Sequence, residues 1–175
     1  MYTMKFDNDL NIYFVDYETK GVIKYIPSVK HKGKELTEDD VHNLLHKLEI
    51  KILPFDKVYT DFKIENGDKY VFGLSNTLPN SGMKFITVNP TSKHFNFVVL
   101  HELGHLILDH KNSELGRFYK ELEANIVAFL VASSFYDLKT LMDMINYFYV
   151  YFLSMSEESC TRCIEAADKI LEQLK

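Results

Sequence analysis

The stretch Phe95-Asn-Phe-Val-Val-Leu-His101-Glu-Leu-Gly-His105-Leu-Ile107 decides how this chain is read. Phe95, Val98, Val99, Leu103, Leu106 and Ile107 recur at helical spacing, so a strongly apolar helix is expected here. Within it, His101 and His105 stand one turn apart on one face, where two imidazoles can reach a single metal ion. Glu102 is rotated by roughly 100° from His101. Its carboxylate can therefore approach a metal-polarised water without occupying a ligand position, and can take that water's proton for attack on a peptide carbonyl. A bare His or Glu in so apolar a segment is costly to bury. Zinc binding is thus the expectation, set against a pair of satisfied core histidines.

A catalytic zinc site commonly has three protein ligands plus water, and this stretch supplies two. The extended pattern, with a third histidine six residues beyond the second, is excluded, because Leu108 and Lys111 hold the required glycine and histidine positions. The next helical segment, Phe118-Tyr-Lys-Glu121-Leu-Glu123-Ala-Asn125, is the better source. Glu121 and Asn125 share a face, so Glu121 can ligate zinc while Asn125 accepts a hydrogen bond from a ligand histidine and fixes its tautomer. Glu123 points roughly 160° to 200° away and stands as the backup ligand.

Outward from the site, the chain changes character. Leu10 to Val15, Val22 to Ile26, Tyr70 to Leu74 and Lys84 to Val88 are strand candidates separated by turn signals. Thr37 is a candidate N-cap for a helix ending near Ile50, with Glu38, Asp39 and Asp40 in its first turn and Val41, Leu44, Leu45 and Leu48 on its apolar face. Further helices are expected over Leu115 to Ser133, from Leu138 to about Phe152, and after Ser156. Strands early and helices late, with no repeated βα unit, define an α+β fold, a small N-terminal antiparallel or mixed sheet followed by a mainly helical core, which the His-Glu-x-x-His motif marks as zincin-like. The 175 residues suit one domain, with 37–130 as its catalytic core and 154–175 as a C-terminal helix.

Composition narrows the function classes. Hydrophobic residues make up 46% of the chain and charged ones 26%, enough apolar matter for a sizeable core. The formal charge of -5 argues against direct nucleic-acid binding. No secretory leader is evident, and the apolar run Met144 to Met155 is too short to span a bilayer, so a cytoplasmic protein with no membrane partner is expected.

The segments Lys84-Phe-Ile-Thr-Val-Asn89, Phe97 to Leu108 and Glu121-Leu-Glu-Ala-Asn125 together resemble the ImmA/IrrE family of small zinc metallopeptidases. The resemblance implies a thermolysin-like zinc site with His101 and His105 as ligands, Glu102 as base and Glu121 as third ligand. It also implies mobile-element or stress-response systems, and a protein substrate such as a helix-turn-helix, DNA-binding repressor. Two departures from the family pattern stand out. The Met-Pro end that commonly follows the second helix's Ala-Asn segment is missing from Ala124 to Ser133, and Asp109 stands where a histidine is usual, with His110 displaced by one.

Other residues carry lesser expectations. His110 is either a cleft residue that helps stabilise an oxyanion or a solvated helix-end histidine. Cys160 and Cys163 are read as small buried hydrophobes. Tyr147, Phe148, Tyr149, Tyr151 and Phe152 form an aromatic cluster expected in the core. Ser75 to Gly82 is expected to be a flexible loop able to close the cleft. Two functions compete: a zinc endopeptidase, and a catalytically silent, zinc-stabilised interaction module. Three protein ligands with an open position would favour the first, a fourth protein ligand the second.

Overall fold

The computed structural model describes residues 1–27, 34–56, 58, 72–148 and 154–175. Strands β1 (Tyr2–Phe6), β2 (Ile12–Asp16) and β3 (Val22–Tyr25) form an antiparallel sheet in that order. Alternation explains its one-sided burial: Ile12 and Phe14 turn inward, Met4 lies opposite Phe14, and Tyr25 lies opposite Ile12. β2 starts two residues later than the apolar run suggests, because Leu10 adopts a left-handed φ of 58°. β1 has no counterpart among the expected strands. Its edge is tied to the far end of the chain, since Tyr2 and Met155 exchange both backbone hydrogen bonds at 2.8 Å.

Helix α1 (Glu38–Lys47) begins with a capping box: the Asp40 amide donates to the Thr37 hydroxyl, and the Thr37 amide donates to the Asp40 carboxylate. A second sheet follows, of order β4-β6-β5, in which β4 (Lys51–Ile52) runs parallel to β6 (Lys84–Val88) and β5 (Gly73–Thr77) runs antiparallel to it. Ser75, Asn76 and Thr77 therefore belong to a hydrogen-bonded strand. The remainder of the expected loop is a turn closed by bonds from the Leu78 amide to Met83 and from the Gly82 amide to Leu78, both 2.9 Å. The first three residues of the expected flexible cover are instead part of the cleft wall. Residues 70 and 71 of the expected strand lie outside the described residues.

The helical half comprises α2 (Phe95–Ile107), α3 (Arg117–Ala132), α4 (Leu138–Phe148) and α5 (Glu157–Gln173). The result is an α+β fold with small sheets first and a mainly helical core after them. From Leu122 to Ala132, α3 is buried at every position except Asn125, which is half-buried. That helix is the centre of the core, with α2 on one side and α5 on the other. Ser156 caps α5 by accepting from the Ser159 amide at 3.1 Å. Cys160 and Cys163 are free, fully buried thiols on its inner stripe. Burial pushes the Cys160 thiol up to about 12, so both behave as small hydrophobes. The aromatic cluster from Tyr147 to Phe152 lies outside the described side chains. No described helix is long and apolar enough to cross a membrane.

One glycine sets the spacing of the two central helices. A Cβ on Gly104 would lie 3.0 Å from the Ala124 Cα and 3.2 Å from the Ala124 carbonyl oxygen. The α2 backbone therefore rests almost directly on the α3 backbone. Gly104→Ala improves intrinsic helix propensity by about 1 kcal/mol, whereas overpacking against an immobile backbone costs about 1–3 kcal/mol. The second effect is expected to win. Urea denaturation should show a net loss of stability, and a stabilised variant would mean that the two helices can part freely.

Candidate metal centre

That helix contact brings the expected residues together. The Nε2 atoms of His101 and His105 lie 3.1 Å apart. The Glu121 Oε2 atom lies 3.3 Å from the first and 3.6 Å from the second. The three donor atoms converge within 4.8 Å of one another and form the metal-capable cluster of the described residues. Tetrahedral zinc with bonds of about 2.0–2.1 Å holds its donors about 3.3–3.4 Å apart. The donor triangle has that size, and two nitrogens plus a carboxylate oxygen are donors that zinc accepts. The residues present fit the ion.

The environment is graded. The histidine side chains are 17% exposed, while that of Glu121 is 47% exposed on the cleft side. Burial works against ionisation of Glu121, but its bonds to His101 and His105 outweigh that and hold the carboxyl well below the usual range. Burial likewise works against a charged His101, and the Glu121 contact overrides it and raises the imidazole above its ordinary value.

Behind the donors, each histidine is gripped at its other ring nitrogen. His101 Nδ1 meets Asn125 Oδ1 at 2.9 Å, which is the role expected for Asn125. His105 Nδ1 meets His110 Nδ1 at 2.7 Å, and His110 Nε2 meets Glu123 Oε2 at 2.9 Å. Glu123 is thus turned away from the donor triangle toward α5, where Arg162 Nη2 stands 3.6 Å from the same oxygen. Burial would lift the Glu123 carboxyl, but the His110 bond and the Arg162 charge keep it below the usual range. His110 is only 4% exposed and bonded on both sides, so it is not a solvated helix-end histidine. Spacing alone did not reveal this contact. The available signal was Glu123 itself, a carboxylate between Leu122 and Ala124 in an otherwise apolar helix, where a charge requires a partner.

Glu102 follows His101 on the buried side of α2 and is 6% exposed. A Cβ on Gly73 would lie 3.1 Å from Glu102 Oε1 and 2.6 Å from Val98 Cγ1, so β5 passes over this carboxylate as closely as a strand can. β5 forms one wall of a cleft of about 1300 Å³ whose lining includes Gly73 to Thr77, His101, Glu102, His105, Lys111 and Glu121. Lys111 fastens the far end of that wall, donating to Asn76 Oδ1 at 3.1 Å and the Thr77 carbonyl at 3.3 Å.

A helix bearing His-Glu-x-x-His, faced by a glutamate from the following helix across a cleft edged by a strand, is the arrangement of a zincin-type metallopeptidase site. Comparison of the sequence with family models agrees. The model described as the IrrE N-terminal-like domain of peptidase family M78 matches residues 46–136, more than half of the chain, and the protein belongs to that family. No curated protein and no solved structure gives a significant match.

The separation of Glu121 from Glu123 has a direct test. Glu121→Ala should lower zinc affinity at least about tenfold in competition with a chromophoric chelator, and His101→Ala should leave little metal in elemental analysis. Unchanged affinity in Glu121→Ala would remove Glu121 from the ligand set.

Proposed function

We propose that this protein is a zinc-dependent endopeptidase. The observation that carries the reading is the open three-donor cluster with Glu102 beside it at the floor of a strand-edged cleft. Zinc bound there would supply Lewis acidity, making a water nucleophilic near neutral pH and polarising the scissile carbonyl. The chain's own residues do the rest. Glu102 accepts the proton of the attacking water at its carboxylate and returns it to the departing amine. The Asn125 and His110 contacts hold the two imidazoles in orientation. Strand β5 has no second partner strand among the described residues, so its free edge suits an extended peptide, which could pair with it backbone to backbone.

Among the described residues no fourth protein ligand joins the cluster. That supports an enzyme over a closed structural site, because a silent module has no need of an open position beside a carboxylate base. The substrate class we infer is a DNA-binding protein of the helix-turn-helix repressor type. The net charge of -5 fits a protease that meets such a repressor rather than DNA.

Glu102→Gln is expected to retain the fold and one equivalent of zinc while losing cleavage by about 10²–10⁴-fold. The measurement is zinc-dependent proteolysis of candidate repressors, with the same variant used to trap the uncut substrate. Surviving turnover would remove Glu102 as the base, and absence of zinc from the native protein after supplementation would overturn the reading.

A further inference from the structure

The buried chain behind His105 has a direction, and that direction decides whether His105 can bind a metal. A carboxylate only accepts hydrogen bonds, so the 2.9 Å contact to Glu123 places a proton on His110 Nε2. In a neutral imidazole the other nitrogen then carries a lone pair. With His110 in that neutral form, the 2.7 Å contact between His110 Nδ1 and His105 Nδ1 has its proton on His105. With Nδ1 protonated, neutral His105 offers the lone pair of Nε2, the atom that faces His101 and Glu121. Reversing any one link would put a proton on His105 Nε2 and aim it into the donor triangle.

Backbone geometry supplies the fixed end of this chain. Helix α2 is capped by Leu108, and Asp109 takes a left-handed φ of 51°, a conformation open to Asp more readily than to most side chains. The His110 amide then donates to the His105 carbonyl at 3.0 Å, closing the six-residue return bond of a Schellman turn. That turn folds His110 back beside His105, although the two are five residues apart. The other end is anchored from the C-terminal helix. Arg162 donates to the Leu108 carbonyl at 3.2 Å and places its positive charge 3.6 Å from Glu123 Oε2. One guanidinium thus touches both the end of α2 and the carboxylate that starts the chain.

We propose that His110 and Glu123 are positioning residues that set the tautomer of His105, with Arg162 tying Glu123 to the end of α2, so that α5 is a working part of the metal centre. The proposal rests on the reading of His101, His105 and Glu121 as metal ligands, but its test separates the two.

The experiment compares His110→Leu with His110→Gln in the full chain. A glutamine amide can reproduce the polarity, accepting from His105 Nδ1 through its oxygen and donating to Glu123 through its nitrogen. Leucine fills similar space and can do neither. Zinc affinity, measured by chelator competition without any substrate, is expected to fall by about 10–100-fold in His110→Leu and to return most of the way in His110→Gln. Thermal melting of the metal-free proteins provides the folding control. Nitrogen-15 spectra of the metal-free proteins read the tautomer directly: Nδ1-protonated for His105 in the native chain and in His110→Gln, and Nε2-protonated or mixed in His110→Leu. Native affinity in both variants, or an equal loss in both, would overturn the proposal and leave His110 as packing. A native chain that binds no zinc would overturn the ligand reading, while the nitrogen-15 spectra would still decide whether the chain sets the tautomer.

Discussion

The contact between Gly104 and Ala124 is the constraint on which the rest of the site depends. Two helices whose backbones nearly touch share one narrow layer of side chains, and in this protein that layer is the donor set. His101 and His105 flank Gly104 by three residues and one residue on α2. Glu121 and Asn125 flank Ala124 on α3. The packing term that joins the helices and the geometry of the donor triangle are one fact described in two ways. The close pass of Gly73 over Glu102 repeats the device on the other side of α2. Absence of a Cβ at two points lets a strand and a helix both approach the same turn of the motif-bearing helix.

Around that layer the protein sorts its carboxylates by depth. Three glutamates stand within reach of the motif and each meets a different dielectric. Glu121 opens to the cleft, Glu102 lies at its floor, and Glu123 sits in the core with 1% exposure. A charge as deep as Glu123 is tolerated only when compensated. Its compensation comes from the hydrogen bond donated by His110 across a helix terminus and from the Arg162 charge on α5. The C-terminal helix is therefore fastened to the core by an electrostatic contact as well as by the apolar stripe that includes both cysteines.

How far the sequence anticipates this structure follows from the range of each interaction. α2 and α3 appear in it clearly because their apolar periodicity spans several turns; α3 is expected over Leu115 to Ser133 and observed over Arg117–Ala132. The convergence of Glu121 and Asn125 on His101 follows from one-turn spacing on two helices. β4 leaves little trace because Lys51–Ile52 is two residues long, whereas the alternation of Tyr2–Phe6 is a strand signal spread over only five residues. β4 owes its state to β6, more than thirty residues on, while β1 pairs locally with β2. Ser75 to Thr77 reads as loop because its residues are small and polar, and it becomes strand through the register with Ile86, Phe85 and Lys84. The His105–His110 contact is hidden for a more local cause. It turns on one dihedral angle at Asp109, where most residues would not go.

The unequal exposure of the donor set has a bearing on time as well as on energy. The two imidazoles are held from behind by Asn125 and by the His110 chain, whereas Glu121 is a half-exposed side chain at the mouth of the cleft. An ion can therefore reach or leave the histidine pair by displacement of one surface carboxylate, with the helices undisturbed. Loading of the proposed zinc centre would then belong to the folded molecule rather than to its folding, and its occupancy would follow the free metal concentration. With zinc as its cofactor, such a protein would be tuned by metal supply as well as by the abundance of the chain.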